Sequence, residues 1–318
     1  HRDLHTAYRR QRQMCIRDSD NSTKLRGRMY YFNYEEPVFR PPSEARSLIL
    51  QITIGCSQNQ CRFCGMYKMK QFRLRRVADI AAEIEAIPEL HRNQYQRIFL
   101  ADGDALVYPQ AGLVEILDLL QLKFVNLTRI GIYASPKSLT TKSVEELQQL
   151  KSRKLRILYL GLESGDAATL KLTNKGYSPE QILELCQKAK RAGIKLSITA
   201  ILGLAGRLRS REHAVATAEW INQLSPEYFS LLTMFRRHND SYFELIEPLK
   251  NGEIIEEALL IVQHLHPQRT ILRSNHVSNI LNLAGSYPKD RERIVVETEA
   301  ALAEARSHSD LSLIHISE

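Results

Sequence analysis

The sequence predicts an α/β fold built on a mainly parallel sheet, and three observations carry that prediction. Short β-branched or apolar runs alternate with longer amphipathic stretches at even spacing from residue 48 onward. The amphipathic stretches carry their own start and stop residues, and no glycine-rich, proline-rich or low-complexity linker interrupts the series. Repeated β-α units of this kind put parallel strands inside and helices outside.

In chain order, the expected strands are 48–54, 97–101, 128–133, 155–162, 195–202 and 228–233, and the expected helices are 77–86, 113–122, 143–151, 179–192 and 212–224. Ahead of them, 35–47 reads as a turn-rich lead-in in which Pro41-Pro42 forbids a helix. The helix at 179–192 shows the local logic. Ser178 is its N-cap, Pro179 takes the first helical position, Gln181 completes a capping box, and Gly193 supplies a left-handed stop. Ile182, Leu185, Cys186 and Ala189 recur at three- and four-residue steps, which makes Cys186 a core side chain. Six such units can close partly into a barrel or stay an open doubly wound sheet. Both arrangements collect chemistry at the carboxyl ends of the strands.

Composition sets outer bounds. A chain of 318 residues, 43% hydrophobic and 25% charged, can bury one large core or two modest ones, and nothing in it implies disorder. It has no apolar run of membrane-spanning length and no signal-peptide pattern, so the expectation is a cytoplasmic protein with no membrane partner. The ends stand apart. Met14 to Ser19 (MCIRDS) and Leu311 to Ile316 (LSLIHI) can be encoded by opposite strands of one DNA segment, as in translated adapter sequence. We therefore read 1–19 and 311–318 as adapter-like non-native tails. Leaving out their five Arg, two Asp and one Glu lowers the formal charge from +8 to +6, which permits an anionic substrate or RNA without arguing for either. Lys68, Lys70, Arg73 and Arg75 read as a solvated turn or as a greeting for an anionic substrate.

The chemistry sits in IGCSQNQCRFCGMYK, which holds three of the five cysteines, Cys56, Cys61 and Cys64, just after the first strand. Clustered thiols in a cysteine-poor chain fit a reducing compartment. Structural zinc wants four ligands, whereas here no fourth Cys follows nearby and the next histidine, His91, lies beyond a predicted helix. A cubane iron-sulfur cluster held by only three thiolates keeps one iron open to a small chelating ligand. Phe63, between the last two thiols, is suited to cover such a cluster.

This loop resembles the cluster loop of the radical S-adenosylmethionine (AdoMet) superfamily, with four residues between the first two cysteines where the family usually has three. The resemblance runs from about Tyr30 to Arg293, is nearest to a minimal-core subgroup of Fe-S oxidoreductases containing RPPSEA, CGMYK and GLESGD, and relates it to the Elongator-like and coproporphyrinogen oxidase-like branch. It implies a partial (β/α)6 TIM-like barrel at 48–235, preceded by a lead-in at 20–47 and followed by a helical extension at 236–310 that closes the barrel. It also implies a [4Fe-4S] cluster on Cys56, Cys61 and Cys64, and reductive cleavage of S-adenosyl-L-methionine to a 5′-deoxyadenosyl radical.

By the same resemblance Asp102, Gly103 and Asp104 match a glycine-acid motif for the AdoMet amino group. Glu163, with Ser164 beside it, contacts the ribose or amino group, and Lys175 contacts the carboxylate. Gly203 and Gly206 let the backbone pass the adenine, and Ser135 with Lys137 lies near the cofactor. LRSNHVSN, at 272–279, is suited to substrate contact or barrel closure, with His276 as fitting for structure as for catalysis. No catalytic residue is assigned. The chain has no cysteines to spare for a second cluster, which disfavours methylthiotransferase and SPASM-type chemistry. The expected partners are an unidentified substrate, a small molecule in first place with RNA or protein left open, and an electron donor such as flavodoxin or ferredoxin. The alternative is an iron-sulfur electron-transfer or binding protein that does not cleave AdoMet.

Overall fold

The computed structural model describes residues 32, 34–276 and 278–307. Both adapter-like tails, with Cys15, and residues 20–31, 33, 277 and 308–310 lie outside the described residues.

Among the described residues ten strands form: β1 (Leu48–Gln51), β2 (Thr53–Ile54), β3 (Arg73–Leu74), β4 (Arg97–Ala101), β5 (Arg129–Ala134), β6 (Leu155–Glu163), β7 (Lys195–Leu202), β8 (Tyr228–Thr233), β9 (Ile271–Arg273) and β10 (Ala284–Ser286). Eight of them make one sheet in the order β1-β4-β5-β6-β7-β8-β9-β10, and β2 pairs with β3 separately. The pairings β1·β4, β4·β5, β7·β8 and β8·β9 are parallel, and β10 pairs antiparallel with β9. Among the described residues no β1·β10 pairing closes the sheet into a barrel.

The expected first strand splits at Ile52. Its amide donates to the Ala101 carbonyl on the β4 side, and its own carbonyl accepts from Arg75 on the β3 side. The chain thus changes partner in one residue, and β2 and β3 become the two sides of the excursion that carries the cysteines.

The helices are α1 (Val77–Glu85), α2 (Glu89–Arg92), α3 (Gln110–Lys123), α4 (Pro136–Thr140), α5 (Val144–Ser152), α6 (Ala167–Leu172), α7 (Pro179–Arg191), α8 (Ser210–Leu224), α9 (Asp240–Phe243), α10 (Asn251–His264) and α11 (Arg291–Ser307). The capping box at α7 forms as expected, with Ser178 and Gln181 each satisfying the other's backbone N–H, and Gly193 takes φ +77°. Cys186 is fully buried. The lead-in differs from expectation: Pro42–Glu44 forms one 3-10 turn, because Pro42 enters at the first helical position, where its missing N–H costs nothing.

The chain divides into two compact units. The first comprises residues up to 59, 67–159 and 188–195. Its core holds Leu50, Ile80, Ile84, Ile98, Leu100 and Phe124, all with essentially no exposure. The lead-in is anchored there by Glu44, a fully buried carboxylate that accepts from Arg129 (2.6 Å), Tyr159 and Ser47. The second unit comprises 60–66, 160–187 and 196 onward, with a core including Ile182, Ile198, Phe229, Tyr242, Ile261 and Leu272. The stretch from 236 is less helical than expected, since it adds β9 and β10 to the sheet.

Candidate active site

In the first unit, the carboxylate of Asp102, one residue past β4, gathers the cysteine excursion at both ends. Its Oδ2 accepts from the Gly55 amide (3.1 Å), the Lys70 ammonium (2.8 Å) and the Gln51 side chain (2.9 Å). Gly55 precedes Cys56 and Lys70 follows Cys64 by six residues, so one carboxylate joins the two ends of the excursion. Lys70 is itself buried, and its other donors go to the Glu35 and Pro37 carbonyls. Burial raises the Asp102 pKa, and Lys70 draws it part of the way back.

Gly103 lies flat against this loop: a Cβ there would meet the Tyr67 ring and come within 3.0 Å of the Cys56 Cβ. Asp104 is fully buried and accepts from the Ser57 hydroxyl and from Ser135 Oγ (2.7 Å). Burial pushes its pKa up, because its partners are neutral hydroxyls. Oδ1 of both Asp102 and Asp104 is buried without a hydrogen-bond partner. Ser135 also N-caps α4 through the Ser138 amide. Lys137 donates to the Ser57 carbonyl (3.3 Å) and stays exposed.

In the second unit, Cys61, Phe63, Leu204 and Tyr242 form an apolar cluster, with Cys64, Leu172, Ile201, Met234 and Ile246 packed on it. The segment after β8 grips the loop: Asn239 donates to the Phe63 carbonyl (2.7 Å), and the Arg237 carbonyl occupies the space a Cβ on Gly65 would need. Burial drives the Cys64 thiol up to about 11; Cys61 and Glu163 add to the rise, and Lys175 opposes it.

Glu163 and Lys175 form an ion pair at 2.9 Å with side chains only 12% and 8% exposed, so the pair is buried and not a surface contact. Glu163 ends β6 at φ +69°, a left-handed conformation that costs a non-glycine residue about 1–3 kcal/mol. The carboxylate lies over Gly161, where a Cβ would overlap it.

The remainder of the ESGD motif docks on α8. Ser164 Oγ lies 2.7 Å from His213 Nδ1, and the Gly165 amide donates to Thr217 Oγ1 (2.9 Å) with no room for a Cβ against the Ala216 carbonyl. Asp166 caps α6 through the Thr169 amide and is held by Arg209 (2.9 Å). Gly203 (φ +79°) donates its amide to Glu257 Oε1 at 2.7 Å.

Other sequence candidates have structural employment. Arg75 makes a two-pronged pair with Glu83, Arg73 pairs with Glu35, and Lys68 donates to the Asn59 carbonyl. Asn279 bonds the Leu231 and Ser274 carbonyls and Thr233, and His276 bonds Ser278. His213, Glu257, Asn239 and Tyr242 are absent from the sequence expectation. A signal for His213 existed: His213, Thr217 and Trp220 recur at steps of four and three among the buried residues of α8.

The donor set fits an iron-sulfur group chemically. Among the described residues no disulfide joins the cysteines, and a metal supplies the positive charge that a buried thiolate such as that of Cys64 needs. Among the described residues no three His, Cys, Asp or Glu side chains stand at mutual metal-holding distance. No helix among the described residues is long and apolar enough to cross a membrane.

A tRNA-2-methylthio-N(6)-dimethylallyladenosine synthase of Dehalococcoides mccartyi is 29% identical over 173 residues, 52% of this chain and 39% of that protein. An uncharacterized protein of Methanocaldococcus jannaschii is 24% identical over 276 residues, 79% of this chain and 52% of that one. The chain thus spans about two fifths to half the length of these curated relatives. Among solved structures, methylornithine synthase superposes with a TM-score of 0.50 at 14% identity, covering 82% of this chain and 85% of that one, which shows the shared fold. Coproporphyrinogen III oxidase from Escherichia coli gives 0.49 at 20% identity, over 68% and 50% of the respective chains. The family model described as the radical SAM superfamily matches residues 50–221, more than half of the sequence, and the chain belongs to that superfamily.

Proposed function

We propose that this protein is an enzyme that holds a [4Fe-4S] cluster on Cys56, Cys61 and Cys64 and reductively cleaves AdoMet to begin radical chemistry on a substrate. The observation that carries the reading is the buried Glu163–Lys175 pair beside the Cys64 thiol. An anion and a cation 2.9 Å apart present the complement of an amino-acid zwitterion: the carboxylate takes an ammonium, and the ammonium takes a carboxylate. A protein that only passed electrons would have no use for such a clamp at a strained strand end.

When bound, the cluster supplies the electron for cleavage. The chain's own residues do the rest. Asp102 and Lys70 fasten the loop, while Phe63 and Tyr242, with rings 6.3 Å apart, keep water from the second and third thiols. Oδ1 of Asp104 is a further acceptor for an ammonium, and the Gly203 backbone, with Ile254 packed on its Cα, is the proposed adenine contact. An external one-electron donor such as flavodoxin or ferredoxin and an unidentified substrate complete the scheme.

Anaerobic reconstitution with iron and sulfide tests this. About four iron atoms per chain are expected in the parent protein, with loss in Cys56→Ala, Cys61→Ala and Cys64→Ala. Undiminished iron in any of the three variants would overturn the ligand assignment.

A further inference from the structure

The Glu163–Lys175 pair is separated in sequence by the turn 164–166, α6, Thr173 and Asn174. Glu163 stands in a strained conformation, so something must hold the turn that follows it. That support comes from one helix face. Ser164 is fully buried, its hydroxyl accepts the Asp166 amide (3.0 Å), and its partner on the other side is His213 Nδ1. His213 is fully buried as well, one turn into α8.

Glu257 of α10 faces the same imidazole. Its carboxylate accepts from the Gly203 amide and from Ser210 Oγ, and its Oε1 lies 3.7 Å from His213 Nε2. That separation is too long for a hydrogen bond. Nε2 is otherwise without a hydrogen-bond partner, and the formed bond is the one to Ser164. His213 therefore stands between two turns, one after β6 and one after β7, each of which carries a proposed cofactor contact.

We propose that His213 is a positioning residue for AdoMet: through Ser164 it fixes the turn after Glu163, and so sets the separation and aim of the Glu163–Lys175 clamp. This inference rests on the AdoMet reading above. His213 touches neither partner of the clamp by any hydrogen bond described, and acts through Ser164.

The test measures AdoMet affinity by equilibrium dialysis on the anaerobically reconstituted protein, together with cluster absorbance and melting temperature. His213→Leu and Ser164→Ala are expected to weaken AdoMet binding about tenfold, the equivalent of one hydrogen bond, with cluster absorbance unchanged. His213→Asn keeps a polar group near the Nδ1 position and is expected to stay within about threefold of the parent. Rescue by Asn separates positioning from packing, since Leu fills the volume better. If His213→Leu does not fold, Ser164→Ala and His213→Asn decide the matter. Parent affinity in Ser164→Ala, or equal weakening in His213→Asn and His213→Leu, would overturn the proposal. Failure of the parent itself to bind AdoMet would overturn the function reading on which it rests.

Discussion

Lys70→Met isolates the fastening of the cysteine loop. In the parent, Lys70 and Asp102 meet at 2.8 Å with side chains 2% and 0% exposed, and Lys70 spends its two other donors on the Glu35 and Pro37 carbonyls. Methionine keeps the length of the stem and removes the charge, which leaves Asp102 buried with only Gln51 and the Gly55 amide. Breaking a buried pair from one side costs about 3–5 kcal/mol, because the remaining charge has neither water nor a partner. Replacing both members removes that orphan charge, so Lys70→Met with Asp102→Asn is expected to recover most of the loss. The pH dependence has a definite sign. Burial already raises the Asp102 pKa, and loss of Lys70 removes the main influence lowering it, so the folded variant binds a proton more readily than the unfolded chain. The deficit is then smallest at pH below the ordinary carboxylate range and grows as pH rises through the folded pKa. Urea denaturation of parent, single and double variants at pH 5 and pH 8 reads all of this. A Lys70→Met variant within about 1 kcal/mol of the parent at pH 8 would refute the reasoning, since that is the value of an exposed pair.

Three further outcomes are expected. Glu163→Gln and Lys175→Met should each weaken AdoMet binding at least tenfold while leaving the cluster's absorbance and EPR amplitude intact, and unchanged affinity in both would remove the clamp. Cys186, fully buried with its thiol pushed up to about 12, should resist alkylation in the folded protein at pH 8, and Cys186→Ala should retain full iron at a stability cost of about 1 kcal/mol; iron loss equal to Cys61→Ala would contradict its core role. Gly65→Ala drives a methyl into the Arg237 carbonyl and should cost about 1–3 kcal/mol along with iron retention under chelator challenge, whereas parent-like retention would show that the loop can shift there freely.

Much of the fold was legible because its elements follow local rules. The strands at 97–101, 195–202 and 228–233 and the helix from Pro179 coincide with the β-branched runs and capping residues that forecast them. What local pattern hides is partner choice. The change of partner at Ile52 depends on a residue 49 positions away, and β9 and β10, three residues each, are too short to show alternation. The basic residues after the loop look solvated in sequence, yet Lys70 is buried against Asp102 and Arg75 is locked to Glu83. The thiol triplet and the Glu163–Lys175 spacing were readable because twelve residues cover a turn and a short helix, which returns the chain to its start. His213 and Glu257 were not, since their meaning lies in contacts to Ser164 and Gly203 made 49 and 54 positions away.

The most direct measurement is formation of 5′-deoxyadenosine from AdoMet by the anaerobically reconstituted protein reduced with dithionite. The account predicts slow cleavage without added substrate, abolished in Cys56→Ala and strongly reduced in Glu163→Gln. A protein that carries its full cluster and neither binds nor cleaves AdoMet would contradict it.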